Sequence, residues 1–296
     1  MPEPTDLPPR PARSLSPSRA ADFQSCPLLY RFRVLDRLPE PPSPAAVRGT
    51  LVHCVLEALY DLPAQQRTLD AAIGLVAPQW QLLAAERPEV IDMLAEAGQD
   101  SGTWLRGAGD LVEAYFAMED PTRLEPAARE LRVEVELPSG LTLRGFVDRL
   151  DRAPTGQTRV VDYKTGRAPG VGFEARAMFQ MRFYALALWH MHGQLPTLLQ
   201  LMYLSTGVVL RYEPDEDDLR AMQRKVEALW AAIERAMNTG DWRASPSKLC
   251  DWCAHKALCP AFGGTPPALP EPSAEPLAEP QAEPRQAGPI GAPAAP

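Results

Sequence analysis

The sequence has 296 residues, of which 45% are hydrophobic, and its formal net charge is −8. This length and apolar content are sufficient for one large folded domain or two small ones, which excludes a wholly disordered chain. The negative charge excludes a protein that is basic over its whole surface, so any groove for DNA is expected to be local.

The two ends of the chain are expected to be disordered. Residues 1–13 contain five prolines, and the tail at 264–296 repeats Glu-Pro every four residues. No apolar run reaches the roughly 18 residues of a membrane span, and the first residues lack the apolar segment of a secretion signal. We therefore expect a cytoplasmic protein without membrane contact.

The first half of the chain between these ends is predicted to be helical. Ser16 and Pro17 are typical of a helix N-terminus, and Cys26 with the proline after it ends that helix. Apolar residues at a spacing of three to four predict an amphipathic helix over 48–60, with His53 at the edge of its apolar face. Further helical segments are expected at 28–35, 69–85, 90–97 and 104–118.

The second half of the chain is predicted to contain strands. Alternating apolar and polar residues predict an antiparallel meander with strands at 131–137, 141–150 and 158–163. A helix over 174–192, a hairpin of strands at 198–204 and 208–212, and a long helix over 215–237 follow. The sequence therefore predicts a mixed α/β (α+β) fold. Within 14–263, we place a helical part at about 14–120, a core at about 128–240 and a cysteine loop at 246–263.

The main candidate for chemistry is the end of the third predicted strand, where Asp162-Tyr163-Lys164 precedes a Thr-Gly turn. Alternation along a strand places Asp162 and Lys164 on one face, about 6.6 Å apart. A carboxylate there can bind a hard divalent cation, and a lysine beside it can position water and offset phosphate charge. Only four of the 30 basic residues are lysine, so Lys164 stands out in a chain that otherwise uses arginine.

Other polar residues can join this face. Asp148 is expected at the end of the neighbouring strand, where an antiparallel pair lets two acids converge on one cation. Gln180 and Tyr184 are four residues apart on the following helix, so they share one side of it. Taken one at a time, these residues are also explained as ordinary turn, helix-surface or packing residues.

Five cysteines without a secretion signal argue against disulfides and for metal ligation or free thiols. Cys250, Cys253 and Cys259 lie within ten residues, whereas Cys26 and Cys54 are far upstream. Four thiolates can hold an iron–sulfur cluster or zinc, and the residues leave both open.

Taken in chain order, these residues resemble a known family. His53, Asp148, the Asp162-Tyr163-Lys164 run and the Gln180–Tyr184 helix, with one cysteine before them and three after, are similar to RecB-like exonucleases of the PD-(D/E)XK superfamily. The resemblance covers roughly residues 14–263 and extends to the iron–sulfur branch, which includes the AddB nuclease domain and the nucleases of CRISPR adaptation. It implies a restriction-endonuclease-like core with a mixed sheet flanked by helices.

The resemblance also implies residue roles. Binding of Mg²⁺ or Mn²⁺ is expected of four groups: His53, Asp148, Asp162 and the backbone carbonyl of Tyr163. The expected catalytic residues are Asp148, Asp162 and Lys164. Substrate binding or positioning of the lysine is expected of Gln180 and Tyr184. Glu134 corresponds to the family's upstream strand acid, and a purely structural role is the alternative for it.

In the iron–sulfur branch, one N-terminal and three C-terminal cysteines hold a 4Fe-4S cluster, which matches Cys26, Cys250, Cys253 and Cys259. Such a cluster would tie the two ends of the fold together, and structural Zn²⁺ is the alternative. Cys54 is expected to be a buried free thiol. The surrounding polar and aromatic residues form either a DNA-contacting edge or a solvated loop: Lys248, Trp252, His255 and Lys256.

These features predict a Mg²⁺- or Mn²⁺-dependent DNA exonuclease that acts on single-stranded or end-bearing DNA in repair, recombination or related processing. A helicase, recombination or CRISPR protein is the expected partner, because the sequence has no P-loop of its own. Two alternatives remain open: a non-catalytic iron–sulfur DNA-binding or scaffold subunit of a helicase–nuclease complex, and a zinc-stabilised protein-interaction domain.

Overall fold

The computed structural model describes residues 13–170 and 174–269, without the side chains of residues 174–176. The disorder expected at the two ends falls almost wholly outside these residues. The described chain forms two compact units. The central unit comprises residues 41–133 and 146–219, and the terminal unit comprises residues 13–40, 134–145 and 220–269.

The helices of the described chain agree closely with the helical segments predicted from the sequence. They are α1 (Pro17–Ser25), α2 (Pro27–Tyr30), α3 (Pro44–Leu59), α4 (Leu69–Glu86), α5 (Glu89–Glu96), α6 (Ser101–Met118), α7 (Glu174–His192) and α8 (Glu216–Thr239). A π-helical turn at Arg31–Leu35 follows α2. Among these described helices, none combines the length and the apolar character needed to cross a membrane.

The strands form a mixed sheet. They are β1 (Ser14–Leu15), β2 (Pro126–Glu136), β3 (Thr142–Arg152), β4 (Thr158–Lys164), β5 (Leu198–Tyr203) and β6 (Val208–Tyr212). Their order is β1-β3-β4-β5-β6, and β2 pairs with β3. The β3–β4 and β5–β6 pairs are antiparallel, whereas β4 and β5 are parallel and connected through α7. This arrangement confirms the predicted mixed α/β fold.

Helix α3, which carries His53, begins four residues before the predicted start. Ser43 caps the helix because its side chain accepts a hydrogen bond from the backbone N–H of Ala46 at 3.2 Å. Pro44 follows as the first helical residue, where a missing N–H costs nothing. The cap and the proline therefore decide this boundary, although the apolar periodicity becomes clear only further along.

The core of the central unit lies between one face of the sheet and a layer of helices. Buried side chains of α3, α4, α5 and α6 form one apolar cluster, which Val161 and Tyr163 of β4 and Met202 of β5 join. Helix α7 contacts β4 and β5. Since side chains alternate along a strand, Asp162 and Lys164 lie on the face of β4 opposite to Val161 and Tyr163.

In the terminal unit, an aromatic cluster joins the N-terminal helices to the chain after α8. The rings of Tyr30 and Trp242 stack with centroids 6.0 Å apart, and Phe23 meets both rings edge-on. The backbone N–H of Leu28 donates to the carbonyl of Arg243 at 3.2 Å. These contacts place Cys26, between α1 and α2, close to the segment that leads into the cysteine loop.

Candidate active site

The two predicted acids lie on adjacent antiparallel strands. Arg149 pairs with Val161, and continuing this register by one residue places Asp148 opposite Asp162. The Oδ2 atom of Asp148 accepts a hydrogen bond from the backbone N–H of Tyr163 at 2.8 Å. Asp148 lies inside β3, and not at the end of a strand as predicted from the sequence, because β3 continues to Arg152. Both carboxylates therefore project from the same face of the sheet.

Lys164 is held between an acid and an amide. Its Nζ atom lies 2.7 Å from Oδ2 of Asp162 and donates to Oε1 of Gln180 at 2.9 Å. The Nε2 amide of Gln180 donates to Oδ1 of Asp162 at 2.9 Å and to the hydroxyl of Tyr184 at 3.3 Å. Gln180 and Tyr184 reach this group together because they are one turn apart on α7. The structure thus brings together the four residues that the sequence placed on this side.

His53 reaches the same region from α3. Its Nε2 atom lies 2.9 Å from the carbonyl oxygen of Tyr163, and its Nδ1 atom lies 3.5 Å from Oδ2 of Asp148. The imidazole therefore lies beside both the acid and the carbonyl that the sequence resemblance assigned to metal binding.

Glu130 was not predicted, and it completes the cluster. One ligand atom from each of His53, Glu130 and Asp148 lies within 4.8 Å of the others. Glu130 has a positive φ of 42°, which is rare outside glycine and costs about 1–3 kcal/mol, in the early part of β2. Glu134 is exposed and does not belong to this group, so the upstream acid near the site is Glu130.

The carboxylates of the site are crowded; Asp162 is buried, whereas Asp148 and Glu130 are half-buried. Burial and the nearby Asp148 carboxylate raise the pKa of Glu130 to about 8 and the pKa of Asp162 to about 6. Burial opposes the charged form of His53, but Asp148 and Asp162 outweigh burial and raise the pKa of the imidazole. For Lys164, burial is likewise outweighed by the Asp162 carboxylate, so its pKa is raised and the side chain stays an ammonium near neutral pH.

The donor set of this cluster fits a hard divalent cation. Two carboxylates, an imidazole and a backbone carbonyl suit Mg²⁺ or Mn²⁺, which prefer oxygen ligands and accept imidazole. Two neighbouring ligands of an octahedral ion at about 2.1 Å are separated by about 3 Å. The 2.9 Å between Nε2 of His53 and the Tyr163 carbonyl is a hydrogen bond in which Nε2–H donates, so this proton must leave before both atoms can bind one cation at that separation. Asp162 is not part of the 4.8 Å group, and its two oxygens contact Lys164 and Gln180.

The cysteines expected to act together lie in the terminal unit. Cys26, Cys250, Cys253 and Cys259 line one cavity of about 80 Å³, which has room for several atoms because one water-sized sphere needs only about 10–15 Å³. Backbone N–H groups of Ser245 and Ser247 donate to the sulfurs of Cys26 and Cys250 at 3.4 and 3.3 Å. Within the described residues, no three of these sulfurs lie within 4.8 Å of one another.

The remaining residues of the cysteine loop have different environments. Trp252 is 79% exposed, whereas His255 is buried and its Nε2 atom lies 2.8 Å from Oε1 of Glu40. The ammonium of Lys256 pairs with Asp251 at 2.9 Å. His255 is therefore an internal residue and does not belong to an exposed DNA-contacting edge. In the central unit, Cys54 is half-buried, and not fully buried as expected.

Comparisons with known proteins agree with this geometry. The sequence matches the family model described as the PD-(D/E)XK nuclease superfamily over residues 14–260. Gene 69 protein of Mycobacterium phage D29 is 28% identical over 210 residues, which are 62% of this chain and 71% of that protein. The crystal structure named "Putative exonuclease" from Eubacterium rectale has a TM-score of 0.54 over 82% of this chain and 88% of that chain, at 14% identity, which shows a shared fold. Because the family model spans most of the sequence, this chain belongs to the PD-(D/E)XK nuclease superfamily.

Proposed function

We propose that this protein is a divalent-metal-dependent DNA exonuclease. The proposal rests on the cluster of His53, Glu130 and Asp148, whose ligand atoms lie within 4.8 Å of one another. This cluster is close to the ion-paired Asp162 and Lys164. Membership of a nuclease superfamily supports hydrolysis of a phosphodiester bond. The name of the Eubacterium rectale structure supports action at a strand end.

The side chains of the site have complementary roles in this proposal. Mg²⁺ or Mn²⁺ held by His53, Glu130 and Asp148 would polarise the phosphate and make a nucleophilic water available at neutral pH. Lys164, kept in the ammonium form by Asp162, would donate to the water or to a phosphate oxygen and would not act as a base. Gln180 holds Lys164 in place because it accepts a hydrogen bond from the lysine and donates one to Asp162.

The test uses end-labelled linear DNA and circular single-stranded DNA with Mn²⁺. The wild-type protein should shorten the linear strands and leave the circles intact. Asp162→Asn keeps the size of the buried side chain but removes its charge, so cleavage should fall by at least about 100-fold while DNA binding, measured by fluorescence anisotropy, is retained. A wild-type protein that binds DNA but never cuts it would instead support the scaffold alternative.

We further propose that the chain belongs to the RecB-like iron–sulfur branch, with a 4Fe-4S cluster on Cys26, Cys250, Cys253 and Cys259. Tetrahedral zinc would bring its sulfurs to about 3.8 Å from one another. The size of the cavity and the two N–H···S hydrogen bonds support the larger group.

Anaerobic purification followed by iron, sulfide and zinc analysis tests this assignment. The expected result is about four iron and four sulfide per chain, lost in Cys26→Ser and kept in Cys54→Ser, because Cys54 does not line the cavity. A colourless protein with one zinc per chain would contradict the cluster and support the zinc alternative.

A further inference from the structure

A fully buried arginine lies directly behind the candidate site. Arg149 follows Asp148 in β3, so its side chain projects from the opposite face of the strand, where it is 1% exposed. Its Nη1 atom donates towards three tyrosine hydroxyls, at 2.6 Å to Tyr163, 2.9 Å to Tyr60 and 3.3 Å to Tyr115. One guanidinium therefore joins β3, β4, α3 and α6.

The charge of Arg149 is balanced by a closed ring of ion pairs. Glu119 contacts Arg149 at 2.6 Å and Arg159 at 2.8 Å, while Asp151 contacts the same two arginines at 3.0 and 2.7 Å. Two cations and two carboxylates thus neutralise one another. The Nη2 atom of Arg149 also donates hydrogen bonds to Glu119 and Asp151, at 2.6 and 3.2 Å, which a buried charge needs to offset its desolvation cost.

Tyr163 connects this cluster to the candidate site. Its hydroxyl accepts the 2.6 Å hydrogen bond from Arg149, whereas its backbone N–H donates to Asp148 and its carbonyl lies 2.9 Å from His53. The Tyr163 ring is buried in the apolar cluster and its hydroxyl is bonded to Arg149, so the close packing restrains the Cα atom to which both peptide groups are attached. Tyr60, a second partner of Arg149, ends the helix that carries His53.

We propose that Arg149 is a positioning residue for the metal site. Through the hydroxyl of Tyr163, it fixes the two peptide groups that hold Asp148 and His53 in register. Arg149 itself lies on the other face of the sheet and does not contact the reacting atoms. The inference rests on the proposed function, because it concerns the same cation site.

The test compares two variants that each remove one hydroxyl from the Arg149 cluster. Tyr163→Phe removes the hydrogen bond between Arg149 and the strand that contacts Asp148 and His53. Tyr115→Phe also removes a hydroxyl that Arg149 contacts, but this hydroxyl comes from α6. Within the described part of the chain, the backbone of α6 makes no hydrogen bond to Asp148 or His53. The dissociation constant for Mn²⁺ is measured by electron paramagnetic resonance without DNA, at a temperature where circular dichroism shows each variant to be folded. Tyr163→Phe should bind Mn²⁺ about 10-fold more weakly or worse, and Tyr115→Phe should stay within about 2-fold of wild type.

The possible outcomes separate this inference from the proposed function. If both variants lose thermal stability but bind Mn²⁺ as tightly as wild type, Arg149 only stabilises the fold and the inference is wrong. If the wild-type protein itself binds no Mn²⁺, the proposed metal site fails first and the inference fails with it. Should Tyr163→Phe not fold, Arg149→Lys takes its place, since a lysine cannot reach the hydroxyls and carboxylates together. Wild-type Mn²⁺ affinity in that variant would equally overturn the inference.

Discussion

Lys164 and Glu130 lie in the same candidate site, but their protonation states respond to burial in different ways. Lys164 keeps its proton because the Asp162 carboxylate outweighs burial and raises its pKa. Glu130 also keeps its proton near neutral pH, because burial and the charge of Asp148 raise its pKa to about 8. A divalent cation would favour the deprotonated form of Glu130, since metal binding requires the carboxylate and therefore releases this proton.

Glu130→Gln should weaken Mn²⁺ binding by about 10- to 100-fold and reduce the number of protons released on binding near pH 7. Isothermal titration calorimetry in buffers of different ionisation enthalpy measures both quantities. Glu134→Gln is the matched control, because Glu134 comes from the same strand but is exposed and outside the cluster. Equal Mn²⁺ affinity and proton release in the two variants would show that Glu130 is not a ligand.

At the scale of single residues, periodicity decided what the sequence could predict. The face shared by Asp162 and Lys164 follows directly from strand alternation, and the structure has the two side chains 2.7 Å apart. Glu130 could not be found in this way, because it precedes the alternating run and its positive φ breaks the strand geometry. Arg149 did carry a signal, since it occupies the buried face of β3 in series with Leu143 and Val147.

At the scale of elements, the type of each helix and strand was predictable, but several boundaries were not. Strand β2 begins at Pro126, five residues before its predicted start, since pairing with a neighbour extends a strand beyond its alternating part. The two residues of β1 pair with Thr142 and Leu143, and no local sequence pattern predicts such a short strand. Boundaries of this kind depend on tertiary contacts, which a propensity argument does not contain.

The cysteine loop leaves no room for a side chain at Gly264. A Cβ atom at Gly264 would lie 2.2 Å from the carbonyl oxygen of Ala257, so Gly264→Ala must displace the backbone close to Cys259. We expect a lower melting temperature and a reduced content of the iron that the proposed cluster would hold.

Gly74→Ala is the control for this prediction. Gly74 lies inside α4 with no neighbouring atom within 4 Å of an added Cβ, so alanine should stabilise the helix by about 0.5–1 kcal/mol. Differential scanning calorimetry and iron analysis of both variants provide the measurement. Full iron content and an unchanged melting temperature in Gly264→Ala would mean that the loop accommodates a side chain there.

At the scale of the whole molecule, the periodicity of the segments predicted the fold class but not how the chain is assembled. The terminal unit combines three segments that are far apart in sequence. The spacing of Cys250, Cys253 and Cys259 indicated a ligand group, and the resemblance to a family added Cys26. What brings Cys26 close to them is the stacking of Tyr30 on Trp242, a contact between distant aromatic residues that no periodic pattern encodes.

The stability of the whole protein should depend on pH through three groups of the candidate site. Asp162, Glu130 and His53 all have a raised pKa in the folded state, so the folded protein retains protons that the unfolded chain releases. Their contribution to the free energy of unfolding is fully present below the ordinary carboxyl pKa values of 3.8 and 4.5 and is lost as the pH rises towards about 8. In EDTA, the melting temperature should therefore fall by several degrees between about pH 5 and about pH 8.

Mn²⁺ should raise the melting temperature increasingly as the pH rises, because it binds the deprotonated cluster. Its stabilisation of the folded state grows with the logarithm of its affinity. The difference in melting temperature between Mn²⁺ and EDTA should grow with pH over the same range. Comparing the melting temperatures of wild type and Glu130→Gln at each pH removes the contributions of the other titrating groups. In EDTA, the melting temperature of this variant should decline less steeply between about pH 6 and about pH 8. If wild type and variant have parallel profiles, the proton on Glu130 does not link stability to pH, and the Glu130 carboxylate is ionised in the folded protein throughout this range.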